Sequence, residues 1–231
     1  MSLSTDIISY AEMCSRENGA SLQHGMHFGI GGTYSVILMS QAVNAPYRDE
    51  LKDNGLTLIY EGHDVPHYRG IKNPKLLDQP KTTHRGTLTR NGKFHIAAQD
   101  YKLRKRDAEK VRVYEKIKSG IWAYNGVFKL TDSWTESDGK RKVFKFRLEA
   151  ISDDDIKSKK QPKLINRRVI PTKIKREVWK RDGGKCVKCG AKDNLHFDHI
   201  IPFTKGGASI TSENVQILCA RHNIQKSDNI I

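Results

Sequence analysis

The stretch KCVKCGAKDNLHFDHIIPFTKGGASITSENVQILCARHNIQKSDN, residues 185–229, decides how the rest of the chain is read. It opens on Cys186-x2-Cys189 and closes on Cys219-x2-His222. A two-residue gap lets one tight turn aim both side chains at a single point. Two such knuckles supply three thiolates and an imidazole, a donor set suited to a closed tetrahedral Zn²⁺ site. A metal so held lets a module of about 60 residues fold around a small apolar core. Between the knuckles, Leu195-His196-Phe197-Asp198-His199 alternates apolar and polar residues, a strand that ends in an acid and an imidazole. Asn214 follows, and Asn223 and Lys226 stand just past the second knuckle on an expected helix.

Composition sets the wider frame. The chain has 231 residues, room for one large domain or two small ones at about 100–200 residues each. Its apolar share of 37% is enough to build a core. No apolar run approaches the roughly 18 residues of a membrane span, so no membrane partner is expected. The start, MSLSTDIISYAEMCSREN, lacks the basic and apolar regions of a secretory leader, and four cysteines do not make a disulfide scaffold. The expectation is an intracellular protein. Lys and Arg number 41 against 26 Asp and Glu, a net +15 that implies a polyanion, with nucleic acid first among candidates. The excess is concentrated: residues 156–188 carry 13 Lys/Arg and 2 acidic residues, directly before the knuckles. Placed there, the charge suits phosphate contacts that deliver a substrate.

Upstream the texture differs. Ser4 to Asn18 reads as a short helix, with Ser4, Thr5 and Asp6 as cap candidates and Ile7, Ile8, Ala11 and Cys14 as its stripe. Residues 33–40, 57–62, 111–117, 126–134 and 142–151 read as strands separated by Asn-Gly, Asp-Gly and Ser-Gly turns, which suggests a barrel or sandwich. Helix formers return over 94–110. The divisions expected are an N-terminal helical segment (1–26), a β-rich domain (27–151), a basic linker (152–171) and the metal module (172–231).

Residues 172–231 resemble the HNH endonuclease family, with its ββα-metal fold. The DH pair, the Gly206-Gly207 loop, the central Asn214 and a knuckle followed by Asn223-x-x-Lys226 carry the likeness. Phosphodiester hydrolysis needs an activated water and charge neutralisation at phosphorus. His199, near neutral in pKa, suits the general base. A hard divalent ion, Mg²⁺ or Mn²⁺, takes oxygen ligands. Asp198 supplies one, and the resemblance implies Asn223 as the other. It also implies that Asn214 holds the loop and orients His199, and that Arg221 and Lys226 contact phosphate. His222 has two readings, fourth zinc ligand or terminal histidine at the catalytic metal. The spacing of the knuckle favours zinc. His196, on the strand face opposite Phe197, reads as structural.

Residues 27–151 resemble the SRA (SET- and RING-associated) domain. The carriers are Gly32-Thr33-Tyr34-Ser35, Tyr47-Arg48-Asp49-Glu50, Ile59-Tyr60-Glu61-Gly62-His63, Val111-Arg112-Val113-Tyr114, the 124–134 block ending in Trp134, and Phe144-Lys145-Phe146-Arg147-Leu148, in that order. SRA domains flip a 5-modified cytosine out of duplex DNA, which calls for flat stacking faces and polar groups for the base edge. The resemblance implies Tyr47 and Tyr60 as stacking faces, Asp49 (or Glu50) as acceptor from cytosine N4, and Glu61 beside the base. His63 and His67 lie in loops without an assigned role.

The fold class expected is therefore α+β: an SRA-like β-barrel with flanking helices, then a small ββα-metal zinc domain. The combined resemblance is to bacterial modification-dependent restriction endonucleases. It implies cleavage of double-stranded DNA bearing 5-methyl- or 5-hydroxymethylcytosine, by a homodimer in the cytoplasm. Two alternatives stand beside it: an HNH nuclease indifferent to base modification, and a non-cleaving reader of modified DNA.

Overall fold

The computed structural model describes residues 5–66, 71–151, 169–201 and 211–226. Most of the expected linker (152–168), the Gly206-Gly207 loop and His67 lie outside the described residues. Ten strands form one sheet: β1 (Thr5–Ser9), β2 (Met26–Ile30), β3 (Tyr34–Met39), β4 (Glu50–Lys52), β5 (Thr57–Glu61), β6 (Glu109–Lys118), β7 (Ile121–Ser137), β8 (Lys142–Ile151), β9 (Leu195–His199) and β10 (Val215–Cys219). Among the described residues four α-helices accompany it: α1 (Tyr10–Arg16), α2 (Arg90–Lys102), α3 (Thr172–Arg181) and α4 (Ala220–Lys226).

The sheet runs β10-β9-β1-β7-β6-β3-β2, and β8, β5 and β4 branch from β7. The long β7 makes the fork. One edge pairs with β6, while the other carries β1 at Ile121–Ala123 and then β8 from Val127 onward. Among the described residues β2, β4 and β10 each have one neighbour, so the sheet stays open. The α+β class holds, but the expected barrel is not closed. Strand count and turn spacing announce a β domain, whereas closure depends on pairings that no short-range pattern encodes.

Two elements depart from the sequence reading. The helix expected from Ser4 begins only at Tyr10; Thr5–Ser9 is a strand instead. The cap is Ser9, whose hydroxyl accepts from the Glu12 N–H while the Glu12 carboxylate accepts from the Ser9 N–H. Ile7 and Ile8 are β-branched, and partners on both sides draw them into the sheet. The helix expected over 94–110 spans Arg90–Lys102, capped by Thr89, and β6 already starts at Glu109.

The core has three parts. Met26, Ile37, Leu58, Phe94, Phe128 and Phe146 fill the space between the forked sheet and α2. Ile8, Met13, Leu22, Val36 and Tyr114 lie with α1. The third part joins the two halves of the chain: Ile7, Ile117 and Ala123 pack with Ile174, Val178, Phe197, Ile217 and Cys219. β1, expected in a separate N-terminal segment, thus sits between β7 of one half and β9 of the other.

Candidate active site and base pocket

The metal module is built on the β9–β10 hairpin, which pairs Leu195 with Cys219, Phe197 with Ile217 and His199 with Val215. The first knuckle closes when the Gly190 N–H donates to the Cys186 carbonyl at 2.8 Å. Gly190 has φ +75°, a conformation costly for a residue with a Cβ. The second knuckle straddles the end of β10 and the first turn of α4.

These turns bring the ligand atoms of Cys186, Cys189, Cys219 and His222 within 4.8 Å of one another. His222 Nδ1 lies 3.3 Å from Cys186 Sγ and 3.4 Å from Cys219 Sγ, and the Cys189 and Cys219 sulfurs are 3.8 Å apart. A tetrahedron with Zn–S near 2.3 Å and Zn–N near 2.0–2.1 Å has edges of roughly 3.5–3.8 Å. The four residues fit zinc, and His222 faces the thiols. Burial pushes the Cys186 thiol up, but N–H donors from Cys219, Lys188 and Cys189, with His222, bring it down to about 6, toward the thiolate a metal requires.

Asp198 and His199 end β9, and both are buried. Burial drives the His199 imidazole below its ordinary value; Asp198 opposes this and Lys226 adds to it. The ring is neutral at neutral pH, and its buried Nε2 has no hydrogen-bond partner among the described residues. Asn214 acts on the backbone just after His199. Its Oδ1 accepts from the Ile201 N–H at 2.7 Å, its Nδ2 donates to the Ile201 carbonyl, and its own carbonyl accepts from the Ile200 N–H.

Lys226 requires a correction. The expected phosphate contact is buried. Its Nζ sits 3.0 Å from Asp198 Oδ2 and donates to the His199 carbonyl at 2.6 Å. A buried carboxylate needs a counter-charge, and Lys226 supplies it. Asn223, three residues earlier on α4, shares that helix face. Arg221 is exposed. His196 pairs with Asp6 of β1 at 3.0 Å, a structural contact.

In the other half, Tyr47 and Tyr60 flank His63. The Tyr47 and His63 rings stack with centroids 5.4 Å apart and planes 8° from parallel. Lys75 lies over the Tyr47 ring at 4.0 Å. The Tyr60 ring is buried in the core, and its hydroxyl donates to the Gly25 carbonyl at 3.2 Å and lies 3.1 Å from His63 Nε2. Asn91 clamps the His63 backbone from both sides. Burial, with Arg90 second, lowers the His63 pKa to about 4. No spacing rule assigns His63; the signal was an aromatic two residues after Glu61, with no register to place it against Tyr47.

Asp49 is buried beside Tyr60. Its oxygens accept from the Ser40 and Glu61 N–H groups, and burial raises its pKa to about 7. Each oxygen keeps a further lone pair. Glu50 is exposed on β4 and pairs with Lys52, so Asp49 is the acid beside the tyrosines. Glu61 has a partner of its own in the free protein. Alternation along β5 turns it away from Tyr60, and its carboxylate pairs with buried Lys145 of β8 at 3.0 Å while accepting from the Arg48 N–H.

Residues 8–154, more than half of the chain, match the family model of the SAD/SRA domain. The chain belongs to the SAD/SRA domain family. Residues 186–229 match the HNH endonuclease model, so an SAD/SRA domain and an HNH nuclease domain stand in one chain. Similar solved structures include the SUVH5 SRA complex with hemimethylated CG DNA (23% identity, TM-score 0.41, 68% of this chain and 92% of that one). SUVH5 SRA bound to fully hydroxymethylated CG DNA is comparable (22%, 0.42, 70% and 92%). Arabidopsis thaliana SUVH6 with SAM is 22% identical, with a TM-score of 0.38, over 82% of this chain and 30% of that one. No curated protein matches.

Proposed function

We propose that the chain is a modification-dependent DNA endonuclease: the SAD/SRA domain selects duplexes carrying 5-methyl- or 5-hydroxymethylcytosine, and the HNH centre hydrolyses the backbone. What supports this is the two domains in one chain, with a buried, neutral His199 beside Asp198 at the end of β9. The flipped base would stack on Tyr47 and Tyr60, displacing His63 from the Tyr47 face, and Asp49 would accept from cytosine N4. The net +15 charge and exposed Arg221 serve the phosphates.

His199 Nε2 takes a proton from the attacking water. The water oxygen bonds to phosphorus as the 3′ oxygen departs and is protonated from solvent, leaving 5′-phosphate and 3′-hydroxyl ends. Asn214 holds the backbone that fixes the ring, and Lys226 holds Asp198. A Mg²⁺ or Mn²⁺ ion on Asp198 and Asn223 would supply charge neutralisation at the scissile phosphate and the leaving oxygen. Zn²⁺ on Cys186, Cys189, Cys219 and His222 is structural. One centre cuts one strand, so double-strand scission takes two protomers, as in a homodimer, or two visits.

The test is His199→Ala assayed on one modified duplex for binding and for cutting. Loss of a proton acceptor costs about 10²–10⁴-fold in cleavage rate with affinity unchanged. Full cleavage by the variant refutes the catalytic assignment.

A further inference from the structure

Helix α3 is anchored at both ends, in different halves of the chain. At its C-terminal end, Arg181 donates to the carbonyls of Ser212 and Val215, each at 2.6 Å, and the neighbouring Asp182 accepts from the Ile217 N–H of β10. These contacts tie it to the nuclease hairpin. At its N-terminal end, Lys175 is fully buried against the SAD/SRA sheet. Its Nζ donates to Glu115 Oε2 of β6 at 2.7 Å and to Asn125 Oδ1 of β7 at 2.6 Å. Asn125 Nδ2 donates to the same Glu115 oxygen. Arg176 donates to the carbonyls of Gln41, Lys116 and Ile117, and the Thr172 hydroxyl to Gln41 Oε1.

Around this strut the two halves share β1 and one apolar cluster. A hinge here would have to separate the Lys175 ammonium from the Glu115 carboxylate, which are paired at 2.7 Å with both side chains fully buried. A buried polar network satisfied in one arrangement selects that arrangement over its neighbours. The nuclease is held as an extension of the reader's sheet.

We propose that Lys175, with Glu115, Asn125 and Arg176, is a positioning device: it fixes the His199 centre at one offset from the base pocket, so that scission falls at a single distance from the modified cytosine whatever the length of the 152–168 segment. The proposal rests on the modification-dependent reading above.

The experiment maps cut positions at nucleotide resolution on end-labelled duplexes with one 5-methylcytosine. It compares the wild type, a chain with a Gly-Ser insertion within 152–168, Lys175→Met and Arg176→Ala. The insertion is expected to leave one sharp offset unchanged. Lys175→Met, or Arg176→Ala should Lys175→Met fail to fold, is expected to spread the cuts over several positions while affinity for the duplex stays that of the wild type. A cut position that moves or spreads with the insertion, or stays sharp in a folded Lys175→Met protein, overturns the proposal. Calorimetry of the wild type gives a readout independent of cleavage: one unfolding transition for both halves is expected, and two separate transitions contradict the rigid junction. Equal cutting of unmodified duplex by the wild type would refute the functional reading instead, and calorimetry then decides the junction alone.

Discussion

His63 shows how one side chain's surroundings set a measurable property. Its ring is packed against Tyr47 and its pKa is lowered from 6.5 to about 4, so folding favours the neutral form. The stability this gives is present in full above about pH 6.5 and is lost as pH falls toward 4. At about 1.4 kcal/mol per unit the effect is on the order of 3 kcal/mol. In chemical denaturation from pH 7 to 4 the stability of the wild type should decline by that amount relative to His63→Gln, because the raised pKa of Asp49, which acts in the opposite direction over the same range, is common to both proteins. An equal decline in the variant would contradict the assignment. Lys226 gives a prediction of a different kind. Because it supports Asp198 and not DNA, Lys226→Met should cut slowly and melt lower, yet keep the wild-type dependence of DNA affinity on salt. A phosphate contact would instead lower that slope by about 1.

At the scale of elements, the hairpin with its Cys3His cluster was legible because its determinants are local. Two knuckles, an alternating strand and a glycine after the second cysteine each fall within a few residues. The DH pair was legible for the same reason. β1 was not: Asp6 meets His196 across 190 residues, and Ser4 to Asp6 look like caps until that partner is known. The Glu61–Lys145 pair was not legible either, because its partners lie 84 residues apart on β5 and β8. Orientation failed for Lys226 too, since spacing puts it on a helix but does not say which way the face turns. The hairpin also has a direct test. Cys189 is exposed, so Cys189→Ser removes a ligand with little loss of packing. Structural zinc contributes on the order of 10 kcal/mol to folding such modules. The variant, or the wild type with a strong chelator, should lose zinc, lose cleavage and unfold at lower temperature. Because Phe197 and Ile217 share a core with Ile7 and Ala123, the lower transition should reach the SAD/SRA half. Unchanged melting after zinc removal would contradict the metal's structural role.

At the scale of the molecule, the SAD/SRA domain and the HNH domain share one sheet. The fork at β7 makes this possible, because β8 occupies the far part of an edge whose near part is left for β1, and β1 carries β9. The tyrosine cluster and the DH pair therefore belong to one continuous frame, with Tyr60 on β5 near one end of the pairings and His199 on β9 near the other. In the proposed function, the basic charge over 156–188 would add sequence-independent affinity and the pocket would carry the selectivity.

The most direct test of the central claim is cleavage of one plasmid prepared unmodified, with 5-methylcytosine and with 5-hydroxymethylcytosine, each with Mg²⁺, Mn²⁺ or EDTA. Cutting confined to one or both modified plasmids, and abolished by EDTA, is the predicted result. Equal metal-dependent cutting of all three would contradict modification dependence, and binding to modified DNA without cutting under any condition would contradict the nuclease.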